Sequence, residues 1–242
     1  MTELTFHTYP AQGQEDPSKP MLILIHGGAV SHRMYRTTIP ILNAHGYNIA
    51  APDLPGHGTS VSLGPFTFAT STKLLAPAID KVKQENARKV LIVGVSLGGQ
   101  AVLDILQHYP SIVDAAIVSG AAIHPPDGKA QWTMPKMPTD QAWLDVIMED
   151  VNIMGMDVAS ALQHQSFNFS FDPKGPLPPV LVVVGDDDTA MSKRDLEEIT
   201  ALAKKGNARS ESMVLKEAWH NHPIDIPERF AELIEGWAQR VL

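Results

Sequence analysis

Apolar residues follow two rhythms along this chain. Unbroken apolar runs at residues 21–25, 90–93 and 180–184 predict strands covered on both faces, because a strand with one wet face would alternate. Shorter stretches at 47–51, 113–119 and 212–215 predict three more strands, and residues 3–9 an edge strand. Between them apolar positions recur every three or four residues. Leu74, Leu75, Ala78, Ile79 and Val82 form one such stripe; Ala101, Val102, Ile105, Leu106 and Tyr109 form a second, which Pro110 stops. Leu196, Ile199, Leu202 and Ala203 mark a third. Phe230, Leu233, Ile234, Trp237 and Val241 mark a closing helix with Pro227 at its start. Residues 34–44 are compatible with a helix that Pro40 kinks or delimits, and Pro77 implies either a kink or a late helix start. Strands alternating with helices predict an α/β fold: a mostly parallel, doubly wound sheet with helices on both faces.

The alternation stops between residues 121 and 179. That segment is rich in Pro, Met and aromatic residues, among them Trp132, Met134, Met137, Trp143, Met148, Met154, Phe169 and Phe171. A structureless loop of that length is improbable in a compact domain. Short helices are expected at 140–148 and 158–165. The division that follows is a core of residues 1–121 and 179–242, interrupted by a cap at 122–178.

The chemistry gathers at predicted strand ends. The run at 90–93 empties into Gly94-Val95-Ser96-Leu97-Gly98, and a helical stripe begins at once. Strand, tight turn and helix are the context in which a serine between glycines stands exposed as a nucleophile. A serine hydroxyl needs a base, and the base needs a partner that fixes its tautomer. The order to look for is serine, acid, histidine. Asp186, Asp187 and Asp188 follow the strand at 180–184; Asp188 is favoured because the loop has length by then to turn back, with Asp187 and Asp186 as alternatives. His220 follows the last strand most directly, and His222 reads as a loop or supporting residue. Gly27 and Gly28 follow the strand at 21–25. The N–H groups of Leu97 and Gly28 are the expected oxyanion donors, with Ala29 as the alternative, and His26 is expected to brace that loop by hydrogen bonds. His32 and His57 lie in loops near the same edge.

These pieces resemble the α/β-hydrolase fold over nearly the whole chain. The resemblance is carried by His26-Gly27-Gly28, by the loop from Asp53 through Gly56, His57 and Gly58 to Ser60, by the Ser96 pentapeptide, by Gly185 to Asp188, and by His220 ahead of Pro227. It implies Ser96 as nucleophile, His220 as base and Asp188 as its orienting acid. A serine, where some relatives use a carboxylate, implies acyl transfer through an acyl-enzyme. Two departures stand out: the N-terminal part is short, which suggests a missing early strand, and Trp219 replaces a common glycine. The resemblance implies a serine hydrolase for a small or medium, partly apolar carboxylic ester. Hydrolysis of a thioester or C–C bond by the same triad, or a non-catalytic ligand-binding role, are the alternatives. It calls for no organic cofactor and no metal.

Composition narrows the partners. With 27 acidic and 19 basic residues in 242, the formal charge is −8, which disfavours nucleic acid and anionic membranes. Absence of cysteine excludes disulfides, thiol catalysis and Cys-ligated metals. No signal-like segment or membrane-length apolar run is seen, so a cytoplasmic monomer or homodimer acting on a small-molecule ester is the expectation.

Overall fold

A computed structural model describes residues 4–12, 16–86, 88–124 and 140–242. Seven strands, β1 (Phe6–Tyr9), β2 (Met21–Ile25), β3 (Ile49–Pro52), β4 (Val90–Val95), β5 (Ala115–Ser119), β6 (Val180–Gly185) and β7 (Glu211–Leu215), form one sheet in the order β1-β3-β2-β4-β5-β6-β7. Every neighbouring pair runs parallel except β1 with β3, where His7 stands opposite Ala51. Each residue of β2 to β6 is buried, as their unbroken apolar runs require, while β1 and β7 at the edges are partly exposed.

Strand side chains alternate between two cores. Ile23, Ile25, Ile92, Val118 and Val182 face α2 (Phe68–Asn86), α3 (Leu97–His108) and α6 (Lys193–Gly206), which contribute Leu75, Ile79, Ala101, Ile105 and Ile199. Leu22, Leu24, Leu91, Val93, Ile117 and Leu181 face α1 (Thr38–Ala44) and α8 (Pro227–Val241), which contribute Leu42, Phe230, Ile234 and Trp237. The doubly wound α/β architecture is therefore present. One strand, β1, precedes β2 among the described residues.

Three details depart from the sequence pattern. α2 starts at Phe68, so Pro77 lies inside the helix and the late start does not occur. Its start is set upstream by Thr67, whose Oγ1 accepts the Thr70 N–H at 3.0 Å while its carbonyl accepts that of Ser71. Residues 34–44 split into a 3-10 turn (His32–Tyr35) and α1, with Pro40 in the first turn of α1, where a missing N–H removes no helical bond. A short helix, α7 (His222–Asp225), follows His220, where a loop was expected.

Between β5 and β6 lie α4 (Gln141–Met154) and α5 (Met156–Phe167), both longer than their apolar stripes indicated. Asp140 caps α4 by accepting the N–H groups of Ala142 and Trp143. α4 is tied to the loop after β2. Buried Asp150 accepts the Ser31 N–H and Oγ–H, each at 2.9 Å, and pairs with Arg33, which also reaches Glu149. Arg36 lies over the Trp143 ring, 4.0 Å from its centroid. Met154, Phe169 and Phe171 are buried with the α2–α3 core, whereas Met148 is exposed. Trp132, Met134 and Met137 lie outside the described residues.

Candidate active site

Ser96 sits between β4 and α3 with φ 57° and ψ −118°, a conformation that costs a side-chain-bearing residue about 1–3 kcal/mol. Neighbouring backbone holds it there. Its N–H donates to the Ser119 carbonyl at 2.8 Å, and its own carbonyl accepts the Gln100 N–H at 3.0 Å. The flanking glycines are demanded by space. A Cβ at Gly94 would stand 2.2 Å from the Gly98 carbonyl oxygen, and one at Gly98 2.2 Å from that of Ile25. The turn is thus folded onto itself and against the end of β2. That contact brings the next loop alongside: a Cβ at Gly27 would be 3.5 Å from the Ser96 Cβ.

Two neutral histidines shape this loop. Leu54 N–H donates to His26 Nε2 at 2.9 Å, so Nδ1 carries the proton and donates to the Gly27 carbonyl at 2.7 Å. Complete burial pushes His26 down to about 4, which keeps it uncharged. His57, lowered to about 3 mainly by burial, accepts the Ala29 N–H at 3.4 Å and donates to the Pro55 carbonyl. His26 therefore braces the loop as the sequence suggested. His57, which sequence placed only near the site, clamps it from the other side. The clamp also occupies the Ala29 N–H. Among the described residues the N–H groups of Gly28 and Leu97 have no acceptor within the protein.

Asp188 is the carboxylate that meets His220. His220 Nδ1 lies 3.0 and 3.1 Å from its two oxygens, and both side chains are buried. Ala190 and Met191 N–H groups donate to Oδ1, fixing the carboxylate. Burial alone would raise the Asp188 pKa; the His220 hydrogen bond and charge and those two amides outweigh it and hold it below the usual carboxylate range. An ionised carboxylate only accepts, so Nδ1 bears a proton, and in the neutral tautomer of the ring Nε2 is the acceptor. Asp186 instead accepts the Ala218 N–H and faces Lys216, and Asp187 is exposed.

Ser119 and Gly120, at the end of β5, join the two halves. Ser119 receives the Ser96 N–H, and the next residue, Gly120, has φ 62° and lies against the His220 ring. A Cβ there would be 2.9 Å from His220 Cε1 and 3.3 Å from Asp188 Oδ2. Among the described residues no hydrogen bond joins Ser96 Oγ to His220 Nε2; the structure brings His220 to Asp188 and the Ser96 turn to the same strand end. Behind them the Ser119 hydroxyl shares a 2.6 Å hydrogen bond with His222 Nδ1. Burial lowers His222 to about 4, and among the described residues its Nε2 has no partner. Ser119 and Asp150 carried no sequence signal, since a strand-end serine and a helical aspartate are ordinary.

A second cluster surrounds Asp53, whose carboxylate is fully buried. It accepts from the His32 N–H (2.7 Å), His32 Nδ1 (2.9 Å), the Thr59 N–H (2.9 Å), Thr59 Oγ1 (2.8 Å) and His7 Nε2 (3.2 Å). Burial opposes its charge, but the His32 hydrogen bonds, the nearby His26 and the Thr59 amide hold it far below the usual carboxylate range.

Comparison with known proteins places the fold. The chain is 32% identical over 105 residues to a pyrethroid hydrolase of Sphingobium wenxiniae, covering 43% of this chain and 37% of that one. It is 29% identical over 119 residues to a pimeloyl-[acyl-carrier protein] methyl ester esterase of Aromatoleum aromaticum, covering 48% and 44%. The matches thus span about two fifths of the length of these relatives. A solved structure of a thermophilic esterase from Thermogutta terrifontis superposes with TM-score 0.71 at 18% identity, covering 98% of this chain and 93% of that one, a likeness of fold. The sequence pattern of the alpha/beta hydrolase family matches residues 22–233. With that match spanning most of its length and the sheet arranged accordingly, the chain belongs to the alpha/beta hydrolase family.

Proposed function

We propose that this protein is a serine hydrolase that cleaves a small or medium, partly apolar carboxylic ester through an acyl-enzyme. The observation that carries the reading is the buried Asp188–His220 pair, set against Gly120 one residue from the carbonyl that holds the Ser96 turn. Ser96 Oγ attacks the ester carbonyl as its proton passes to His220 Nε2. The resulting oxyanion takes hydrogen bonds from the Gly28 and Leu97 N–H groups. The C–O bond then breaks, the alcohol leaves with the proton held by His220, and Ser96 is acylated. Water, deprotonated by His220, attacks the acyl carbon, and release of the acid restores Ser96. Asp188 stabilises the imidazolium in both halves and fixes its tautomer. The relatives named for pyrethroid and methyl ester cleavage support an ester as the substrate class.

The test is intact-mass analysis after fluorophosphonate treatment. Wild type should gain one adduct, Ser96→Ala none, and His220→Ala should label much more slowly. An adduct persisting on Ser96→Ala defeats the assignment. Turnover of a panel of p-nitrophenyl esters, acyl-CoAs and β-diketones then separates ester from thioester and C–C cleavage.

A further inference from the structure

We infer that His7, His32 and Asp53 form a binding site for a divalent transition-metal ion, zinc(II) being the type, which clips the edge strand β1 to the loops after β2 and β3. The three residues come from three separate segments, and their ligand atoms all lie within 4.8 Å of one another. His7 Nε2 is 3.2 Å and His32 Nδ1 2.9 Å from different oxygens of the Asp53 carboxylate. Ligands bound at about 2.0–2.2 Å in a tetrahedron stand about 3.4 Å apart, so the three residues lie near the spacing of a metal shell before any ring turns. Two imidazoles and a carboxylate are a donor set that suits zinc, cobalt(II), nickel(II) and copper(II) rather than calcium or magnesium.

Charge supplies the second argument. The Asp53 side chain is 0% exposed, yet no Lys or Arg pairs with it among the described residues; imidazoles and neutral donors surround it. A buried carboxylate without a permanent cation is a place where a divalent ion is worth most. The donors that would be displaced are the two ring N–H groups. The backbone amides of His32 and Thr59 and the Thr59 hydroxyl would go on holding the carboxylate as it ligates. His7 and His32 side chains are 24% and 16% exposed, which opens the cluster to solvent.

One rearrangement is required. The two rings are stacked, with centroids 3.5 Å apart and planes inclined by 16°, and nearly parallel planes cannot both contain one ion. One ring must swing out of the stack, and His7, the more exposed of the two and on an edge strand, is the one placed to do so. The clip stands apart from the Ser96 chemistry: its ligands are neither the proposed triad nor the oxyanion donors, so its test does not depend on that reading.

The experiment is titration of the purified protein with zinc(II) and with cobalt(II) at neutral pH. It is followed by calorimetry, by the visible absorption of bound cobalt and by the ring nitrogen resonances of the histidines. One ion should bind with micromolar or tighter affinity, raise the melting temperature and shift the rings of His7 and His32. His7→Gln and His32→Gln should each weaken binding by about tenfold or more, whereas His45→Gln, an exposed histidine elsewhere, should not. Binding weaker than micromolar, resonance shifts at other histidines, or affinity unchanged in both variants overturns the proposal. The wild-type resonances decide the question even if a variant fails to fold.

Discussion

Three aspartates in a row illustrate what a single position decides. Asp186, Asp187 and Asp188 are alike in sequence, yet only Asp188 has a turn beneath it whose Ala190 and Met191 amides aim its carboxylate at His220. Asp188→Asn should leave the fold intact and lower kcat/KM for a p-nitrophenyl ester by up to about 10⁴-fold, because an amide can stabilise the wrong imidazole tautomer. Asp187→Asn, at an exposed site, should leave it nearly unchanged. The glycines offer a contrast of another kind. Gly98→Ala forces a Cβ to 2.2 Å from the Ile25 carbonyl and should destabilise the protein by more than about 3 kcal/mol in denaturant titrations. At Gly28 the nearest atom to an added Cβ is 3.7 Å away, so Gly28→Ala should fold. Serine, histidine and flanking glycines were legible in the sequence because their chemistry is rare at strand ends. The choice of Asp188 over its neighbours rested on loop length and on the family resemblance, not on any contact that the sequence declared. The clamp by His57 and the support of Ser119 by His222 were not legible, since each depends on partners that only the fold brings near.

Elements were readable where one force dominated. β2, β4 and β6 are buried on both faces, so composition alone declared them. The helix ends were less clear, because they are set by contacts that leave little trace in periodicity, as at Thr67; the start of α4 at Asp140 was readable, its end at Met154 was not. The docking of α4 was invisible for the same reason. Asp150 is 119 residues from Ser31, its partner through both N–H and hydroxyl. Asp150→Ala would leave those donors and part of the Arg33 charge without a partner. It should cost about 1–3 kcal/mol, an interval that discounts Arg33 for its partial exposure. Hydrogen exchange should show faster opening in α4, with β4 and β5 unaffected. Unchanged protection in α4 would mean that the Arg36–Trp143 contact holds the helix by itself.

For the molecule as a whole, the buried histidines govern the response to acid. His26, His57 and His222 are held neutral, with pKa values lowered from 6.5 to about 4, 3 and 4 by burial. Below 6.5 the unfolded chain takes up protons that the folded chain refuses, so stability falls as pH falls through this window. Each histidine contributes up to about 1.4 kcal/mol per pH unit at the steepest point. Asp188 and Asp53, depressed below their unfolded values, add losses only at lower pH, below about 4. Urea midpoints should therefore decline steeply between pH 6.5 and 4, and His57→Gln should flatten the decline even if its midpoint at pH 8 is lower. A flat profile above pH 4 would contradict the burial of these rings. The end of β5 carries one more consequence. The turn bearing Ser96 hangs from the Ser119 carbonyl, and the His220 ring rests on the adjoining Gly120, so both groups take their position from one strand tip. Parts seated on a common anchor keep their spacing more easily than parts on separate ones, and the proposed proton relay would benefit from it.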